Sequence, residues 1–396
     1  MKRSIRIGSS FRTGAMALAI SCSLAHARPA DAYDSANLTP NTWSQLSVPA
    51  PVPNFRGWNQ GVYNPRDHTL MHYDGFVDAQ HPYTIYSNCM WSYDFVTNKF
   101  TVKTVSYLHG GQNPSDWYPV SPCDPPCQTV HPFDRHPYGG ITYDTQDDVM
   151  ILFGGVNARS GIYDFGDTWA YNPATNTWAN MNPSVHPPAR EEHCSAYAPS
   201  TNQVILFEGS CGSCLDVWAY SYPSNTWTRK DYAGQTLPSP RRTHSMVWVP
   251  SLNKIMLFGG KTQDDSAFLG DTWLYDPVTN VWTQVTPSFS PPARLAGGLA
   301  YDTRNNVVLL RGGYGSGGEV NDTWVYHPDT NRWESLQPPV TPGLLGRTDW
   351  RLAYDQANAV FLLWDSAGTV WAFKYVPAGQ GSDTYPPSAV RDLRPH

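Results

Sequence analysis

The sequence predicts an all-β protein built from six similar units. A twelve-residue phrase recurs in which an aromatic strand and a tight turn are closed by tryptophan, at residues 167–178, 216–227, 271–282 and 322–333. A weaker copy occupies residues 90–100. In every copy a Tyr precedes the closing Trp or Phe by seven positions. Self-similarity at a fixed long period indicates a repeat architecture, in which most residues specify the scaffold.

The rest of each unit surrounds this phrase. A short apolar strand follows an opening Arg, a polar turn comes next, and a second apolar run ends in Gly-Gly in three units. The opening residues are Arg56, His136 in the second unit, Arg190, Arg241, Arg294 and Arg347. From position 136 onward these openings are 51–54 residues apart. Short runs rich in Val, Ile, Leu, Trp and Tyr between Asn, Asp, Pro and Gly turns are typical of strands and hairpins.

A single four-stranded sheet with two apolar faces would expose both of them. A ring of such sheets buries each face on its neighbours and leaves only short protected edges. The double glycine, the spaced Tyr and Trp and the period of about 50 residues resemble the kelch motif. The resemblance implies a six-bladed kelch-type β-propeller of four-stranded blades.

The two ends of the chain predict how the ring closes. The sixth unit lacks a closing turn and Trp, and the segment LTPNTWSQL at residues 38–46 supplies both. We therefore expect the N-terminal strand, with Trp43 in the closing position, to complete the last blade. The propeller is predicted to span residues 38–376.

The terminal segments predict export. Residues 1–27 have the form of a signal peptide: Lys2, Arg3 and Arg6 precede an apolar stretch, and Ala25-His26-Ala27 forms a small-x-small cleavage site. Lipoprotein processing at Cys22 is an alternative. No stretch is long enough to span a bilayer, so we expect a secreted or periplasmic protein. Residues 28–37 form an N-terminal linker. Residues 377–396 form a C-terminal linker whose end resembles the start of a fibronectin type III domain.

Composition and cysteine usage limit the partners. The net charge of −6 argues against nucleic acid. Six cysteines remain after the predicted cleavage, and an even number in an exported chain indicates disulfides. Cys123 with Cys127, and Cys211 with Cys214, are candidate local disulfides; a zinc site formed by both pairs is the alternative. We expect a monomer without metal or cofactor.

The variable segments predict the functional face. Because strands alternate in direction, the loops between second and third strands share one edge of the ring with the inter-blade links. Those loops differ from unit to unit, whereas the turns at the opposite edge are uniformly tight. Variable loops on a rigid scaffold are where binding sites are usually built.

The opening arginines are the first candidate ligand-binding residues. Arg56, Arg190, Arg241, Arg294 and Arg347 are expected to ring the channel mouth, where guanidinium groups suit carboxylate, sulfate or phosphate. The resemblance implies the same, because kelch propellers that bind acidic peptides use arginines at this position. Trp58, Asn59 and Trp350 are added as loop residues able to contact a ligand. The alternative interpretation is structural, with each Arg stacked on a blade Trp and paired with a loop Asp.

Residues three positions after the opening Arg diverge and supply catalytic candidates. His193 and His244 fall there in adjacent units, and Glu191 and Glu192 precede the first. A His pair beside a carboxylate suits proton transfer or metal binding. Histidines buried inside the propeller are the alternative.

These observations favour a binding or adhesion module that recognises a protein or an anionic or polysaccharide ligand. Two alternatives stay open: a carbohydrate-active enzyme with oxidase- or epimerase-like chemistry, and a structural segment of a larger exported chain. No copper site, Gly-x-Ser-x-Gly elbow or HExxH motif can be placed in the sequence.

Overall fold

The computed structural model of the chain describes a ring of small antiparallel sheets. Its described residues are 33–49, 61–73, 90–104, 107–109, 117–119, 131–133, 135–157, 162–211, 214–231, 234–343, 352–364 and 369–379. The predicted signal peptide and most of the C-terminal linker lie outside them. No helix in these ranges is long and apolar enough to cross a membrane.

Six blades of four main strands follow one another along the chain. Blade 1 contains β2 (Gly61–Asn64), β3 (Thr69–Tyr73), β4 (Met90–Asp94) and β5 (Lys99–Thr104). Blade 2 contains β8 (Ile141–Asp144), β9 (Val149–Phe153), β12 (Thr168–Asn172) and β13 (Thr177–Asn180). Blade 3 contains β14 (Cys194–Ala198), β15 (Gln203–Phe207), β16 (Val217–Ser221) and β17 (Thr226–Arg229).

The second half of the ring repeats the pattern. Blade 4 contains β19 (Ser245–Val249), β20 (Lys254–Thr262), β21 (Phe268–Asp276) and β22 (Val281–Val285), with β18 (Arg241–Arg242) added beside β20. Blade 5 contains β23 (Gly298–Asp302), β24 (Val307–Gly315), β25 (Gly318–His327) and β26 (Arg332–Leu336). Blade 6 contains β27 (Leu352–Asp355), β28 (Val360–Trp364), β29 (Val370–Phe373) and β1 (Trp43–Leu46).

Short hairpins and 3₁₀ turns lie outside the main strands of the blades. Two small hairpins pair β6 (Tyr107–His109) with β7 (Trp117–Pro119), and β10 (Val156–Asn157) with β11 (Ile162–Asp164). The described helices are single 3₁₀ turns at Ser35–Asn37, Pro250–Leu252 and Pro328–Thr330. The fold is therefore the predicted all-β six-bladed propeller, with almost no helix.

The N-terminal strand closes the ring, as predicted. Trp43 on β1 lies opposite Phe373 on β29, and its indole Nε1 donates to the Thr323 hydroxyl of blade 5 at 3.1 Å. Trp227 makes the same contact with Thr168 in the preceding blade at 2.9 Å. The residue from the far end of the sequence thus takes the place of an internal closing Trp.

The hydrophobic core is divided among the blade interfaces. The cluster between blades 2 and 3, for example, packs Ile151 and Phe153 against Val204 and Leu206. Within a blade the repeated Tyr and closing Trp contact each other, and the Tyr220 and Trp227 rings are 5.0 Å apart. The second strands, such as β9 and β28, are buried on both faces and are therefore apolar on both sides. The fourth strands, such as β13 and β17, bury the closing Trp and expose the residues beside it.

Hydroxyl groups link neighbouring blades at one edge of the ring. We call this edge the edge of tight turns, because it carries the turns between the first and second strands. These turns are residues 65–68, 145–148, 199–202, 250–253, 303–306 and 356–359. Tyr63 donates to Asp355 across the closing junction at 3.0 Å, and Tyr143 donates to Asn64 at 3.0 Å. These acceptors are almost fully buried, with 1% exposure each. The closing junction is therefore held by the same kind of contact as an internal one.

Candidate binding face

An arginine–aspartate pair anchors each described variable loop. The Arg190 side chain is fully buried, and its two terminal nitrogens donate to the two carboxylate oxygens of Asp216 at 2.6 and 2.8 Å. The same guanidinium donates to the carbonyls of Glu208 at 3.1 Å and Pro188 at 3.0 Å. A bidentate pair with further carbonyl acceptors satisfies a buried charge.

The arrangement recurs in the neighbouring blades. Equivalent pairs join Arg241 to Asp271, Arg294 to Asp322, and Arg135 to Asp167. In each pair the Asp also accepts from the indole of the Trp two positions later, as Asp216 does from Trp218 at 2.8 Å. Burial alone raises the pKa of Asp216, but the hydrogen bonds and charge of Arg190 outweigh it and hold the pKa below its usual value. The aspartates are therefore ionised over the neutral range.

Burial places the arginines beneath the surface rather than on it. Arg190 and Arg241 are 0% exposed and Arg294 is 1% exposed. Their donors are directed to Asp and backbone carbonyls, which is the loop-Asp pairing of the structural interpretation. The remaining predicted ligand-binding residues, Arg56, Arg347, Trp58, Asn59 and Trp350, lie outside the described residues.

One assignment of the repeat alignment is corrected by this geometry. Arg135, not His136, makes the ion pair in blade 2, with Asp167. One additional residue follows it, so that Tyr138 has the positive φ found at Glu192, Thr243 and Ala296. Gly139 consequently keeps the position equivalent to His193.

The histidine candidates are buried in apolar surroundings. His193 and His244 are 0% exposed, and their rings lie edge-on to Phe153 and Phe207 at 5.7 and 5.5 Å. Burial lowers the pKa of His193 to about 3 and also lowers that of His244 strongly. Both rings are neutral at pH 7. Within the described ranges no three His, Cys, Asp or Glu side chains are arranged to hold a metal ion.

The two glutamates differ in their surroundings. Burial and the charge of Glu192 raise the pKa of Glu191 to about 7. Burial also raises the pKa of Glu192, although Arg242 opposes the rise by donating to its carboxylate at 2.5 Å. Neither carboxylate forms a described pair with a histidine.

A mixed-charge network links blades 3 and 4 on the outside of the variable loops. Arg242 pairs with Glu192 of blade 3 and with Asp265 in the blade 4 hairpin. Lys261 joins Asp265 at 2.8 Å. Gln263 crosses to blade 3 and donates to the Gly209 carbonyl at 2.8 Å. We define the variable-loop face by the described loops between second and third strands, together with Glu192 and Arg242 of the inter-blade links. These loops are residues 154–157, 162–167, 208–211, 214–216, 259–271 and 312–322.

Double glycines set the path of the hairpins on this face. Gly259 and Gly260 have φ values of +70° and +107°, and the register between β20 and β21 shifts there. A Cβ on Gly259 would lie 2.5 Å from the Arg294 carbonyl of the next blade. The glycines are thus needed for both backbone conformation and close blade contact.

The cysteines fall into three groups. Cys211 and Cys214 form a disulfide, and their Cα atoms are 5.7 Å apart, a normal separation for this bond. Cys194 is buried as a free thiol. Cys22, Cys89, Cys123 and Cys127 lie outside the described residues.

Sequence reasoning missed Glu208, which stands where three other blades have the first glycine of the pair. It is fully buried at a φ of +45°, an uncommon conformation for glutamate. Its carboxyl group accepts a hydrogen bond from the Arg241 backbone N–H. The interrupted double glycine, Glu208-Gly209, was the available clue.

Propeller topology, double glycines and repeated Arg–Asp–Trp contacts together define a kelch-type β-propeller. The chain matches the KLHDC2/KLHL20/DRC7 Kelch-repeats domain over residues 25–250 and 198–349, and it belongs to this kelch-repeat family. Kelch domains of this kind generally bind proteins.

Curated relatives share only part of their length with this chain. Adagio protein 3 of Arabidopsis thaliana is 28% identical over 209 residues, which are 50% of this chain and 33% of that protein. Multiple epidermal growth factor-like domains protein 8 of Rattus norvegicus is 25% identical over 246 residues, 58% of this chain and 8% of that protein. The chain therefore spans a third or less of the length of these two relatives.

Proposed function

We propose that this chain is an exported, non-catalytic module that binds a partner protein through its variable-loop face. The observation that carries the proposal is the buried Arg–Asp pair at the base of each described variable loop. These pairs hold the loops on a rigid ring, so that side chains differing from blade to blade are presented in fixed positions. A preorganised surface loses less conformational entropy on binding.

The charges on this face favour a protein over an anionic polymer. Glu192, Arg242, Asp265 and Lys261 alternate in sign and neutralise one another. The arginines that would bind an anion are instead paired beneath the surface. Alternating charges flanked by Phe268 and Tyr314, whose rings are 6.2 Å apart, resemble the polar rim and aromatic content of protein interfaces.

Displayed peptides can test the proposal while the partner is unidentified. A random peptide library is selected against the purified protein, and the enriched peptides are measured by titration. We expect Arg242→Glu and Phe268→Ala to weaken binding by about tenfold or more. The matched control, Val278→Ser, changes a side chain that is 62% exposed in the blade 4 turn at the opposite edge and is expected to leave affinity unchanged. Equal losses in all three variants, or no enrichment, would contradict the proposal.

Export forms the second part of the proposal. It is supported by the basic and apolar segment before Ala27 and by the disulfide between Cys211 and Cys214, since disulfides persist in oxidising compartments. Expression of the full chain in a bacterial host, followed by mass spectrometry of the extracytoplasmic fraction, is expected to give a protein that begins at Arg28. An uncleaved protein confined to the cytoplasm would refute this part.

A further inference from the structure

The propeller axis contains a cavity separate from the variable-loop face. Its volume is about 290 Å³, and residues from the inner strands of all six blades line it. This volume is close to the lower limit of the volumes of ligand pockets, which is about 300 Å³. A cavity of these dimensions accommodates one small ring.

The wall of the cavity extends to the edge of tight turns. Thr145 and Pro199, which belong to first-to-second turns, lie in its wall. On the variable-loop side, Tyr138 of blade 2 and Ala296 of blade 5 belong to one buried apolar cluster. Blades 2 and 5 stand opposite each other in the ring, so this cluster crosses the axis and narrows that end.

Aromatic residues form the rim at the edge of tight turns. Each blade contributes the aromatic residue near the end of its inner strand, and these are Tyr63, Tyr143, Tyr197, Trp248, Tyr301 and Tyr354. Several hydroxyls are engaged elsewhere, including those of Tyr63 with Asp355 and Tyr143 with Asn64. Trp248 contributes the one indole among these rim residues, and it is partly exposed, as Tyr63 and Tyr301 are.

The wall of the cavity excludes charged ligands. No Asp, Glu, Lys, Arg or His side chain of the described residues lines it. A charge transferred from water into such a site would have no counter-charge. The ligand that fits is therefore neutral.

The wall also disfavours a purely apolar ligand. Each inner strand is an edge strand that pairs with a neighbour on one side only, and an edge strand presents unpaired backbone N–H and C=O groups on the other. Burying those groups against hydrocarbon would leave them unsatisfied. The hydroxyls of Ser195, Thr142 and Ser245 also line the wall. Ser195 and Ser245 already donate to the carbonyls of Gly139 and Gly297, and Thr142 is hydrogen-bonded to Ser195, so the backbone groups are the main polar partners left for a ligand. A ring bearing hydroxyl groups meets both requirements, because its faces stack on aromatic residues and its hydroxyls bind backbone groups.

We propose that the axial cavity is a binding site for a neutral, hydroxylated ring of monosaccharide size, entered from the edge of tight turns. Trp248 supplies the stacking surface at the rim. The inner-strand backbone supplies hydrogen-bond donors and acceptors deeper in the cavity. The site is independent of protein binding at the variable-loop face.

Saturation-transfer NMR with named sugars tests this site. The probes are D-glucose, D-galactose and N-acetyl-D-glucosamine, with D-glucuronate and indole as the charged and apolar comparators. At least one neutral sugar is expected to bind, and Trp248→Ala is expected to weaken its affinity about tenfold, as the loss of one aromatic contact implies. The matched control is Trp371→Ala, on the third strand of blade 6 and away from the cavity.

A second variant protects the test against misfolding of Trp248→Ala. Val247 lines the cavity and is only partly buried, so Val247→Phe is expected to block sugar binding by filling space. Arg242→Glu, on the variable-loop face, should leave sugar binding intact and so separates the two proposals. The cavity proposal is overturned if no neutral sugar binds, if both cavity variants bind like the original protein, or if indole or D-glucuronate binds in preference.

Discussion

The carboxyl group of Glu208 in blade 3 accepts a hydrogen bond from the backbone N–H of Arg241 in blade 4. At two equivalent junctions among the described residues a loop carbonyl is the acceptor. The backbone N–H of Arg190 donates to the Phe165 carbonyl, and that of Arg294 donates to the Leu269 carbonyl, both at 3.0 Å. A side chain thus replaces a backbone group at one junction of the ring.

The sequence of the blade 3 loop explains the replacement. In blades 2 and 4 the acceptor is followed by Gly166 or Gly270, where an added Cβ would lie 3.1–3.2 Å from the Cα of Ala189 or Ala293. Blade 3 has Leu215 at this position, and its side chain is 41% exposed. Because a side chain hinders the close approach that glycine allows, the loop carbonyl is replaced by the carboxyl group of Glu208.

The first prediction concerns the pH dependence of stability. Burial raises the pKa of Glu208 to about 9 from an ordinary value of 4.5. The folded protein therefore holds a proton that the unfolded chain releases between these values, and the contribution of Glu208 to stability falls as pH rises through that interval. Glu208→Gln keeps an acceptor without the charge, and we expect it to be more stable than the original protein at pH 8.

Urea unfolding between pH 5 and 9 measures this effect. The advantage of Glu208→Gln should shrink toward pH 5, where the glutamate of the unfolded chain begins to bind a proton as well. Glu319→Gln, in the blade 5 hairpin and partly exposed, should follow the pH dependence of the original protein. An unchanged slope for Glu208→Gln would show that the carboxyl group titrates normally.

The second prediction concerns the buried ion pairs. Arg190→Met leaves Asp216 buried without its charge partner, and we expect the free energy of unfolding to fall by about 3–5 kcal/mol. Arg229→Met is the control. The Arg229 side chain is 57% exposed and pairs with Asp231, and such a surface pair contributes less than about 1 kcal/mol to the free energy of unfolding. Equilibrium urea denaturation at pH 7 gives both values. Similar small losses would mean that the Arg190 pair does not anchor the loop.

The third prediction concerns the double glycine. Gly259→Ala introduces a Cβ at positive φ and within 2.5 Å of a neighbouring carbonyl. We expect a loss of more than about 1 kcal/mol, since the native backbone is incompatible with the side chain. Gly317→Ala is the control, because no atom lies within 4 Å of its added Cβ. Thermal unfolding of the two variants should differ clearly, and equal melting temperatures would disprove the packing argument.

The fourth prediction is a gain in stability. Trp282 is 3% exposed, and its indole N–H has no partner among the described residues. The closing Trp333 donates to Thr272 in the preceding blade at 3.3 Å, whereas blade 3 has Val217 at the corresponding position. Val217→Thr should supply the missing acceptor and add about 0.5–1.5 kcal/mol.

Chemical denaturation tests this gain against a matched substitution. Val308→Thr places a hydroxyl at another fully buried strand position. No indole N–H of a closing Trp is placed there to donate to it. It should destabilise the protein because its hydroxyl is buried without that partner. If Val217→Thr is destabilised to the same extent, the new hydroxyl does not reach Trp282.

Much of the fold could be predicted because residues at equivalent positions of a repeat make equivalent long-range contacts. Trp43 was recognisable as a closing Trp from its local phrase alone, and its pairing with β29 followed from the count of strands. The repeated Arg and Asp were also visible, but Arg190 and Asp216 are 26 residues apart. Their pairing was one of two open interpretations, since sequence spacing does not show whether a guanidinium points into the ring or out of it.

The candidate sites were less predictable for related reasons. The burial of His193 and the role of Glu208 depend on how two adjacent blades pack. The opening residue of the second unit is Arg135 and not His136 because one residue is inserted after it. The axial cavity is built from six segments that are far apart in the chain. The sequence by itself determined the repeat, the blade count and the closure, because these follow from local periodicity. Only the tertiary structure decided which polar groups are buried and which face the axis, because burial is set by neighbours that the chain brings together on folding.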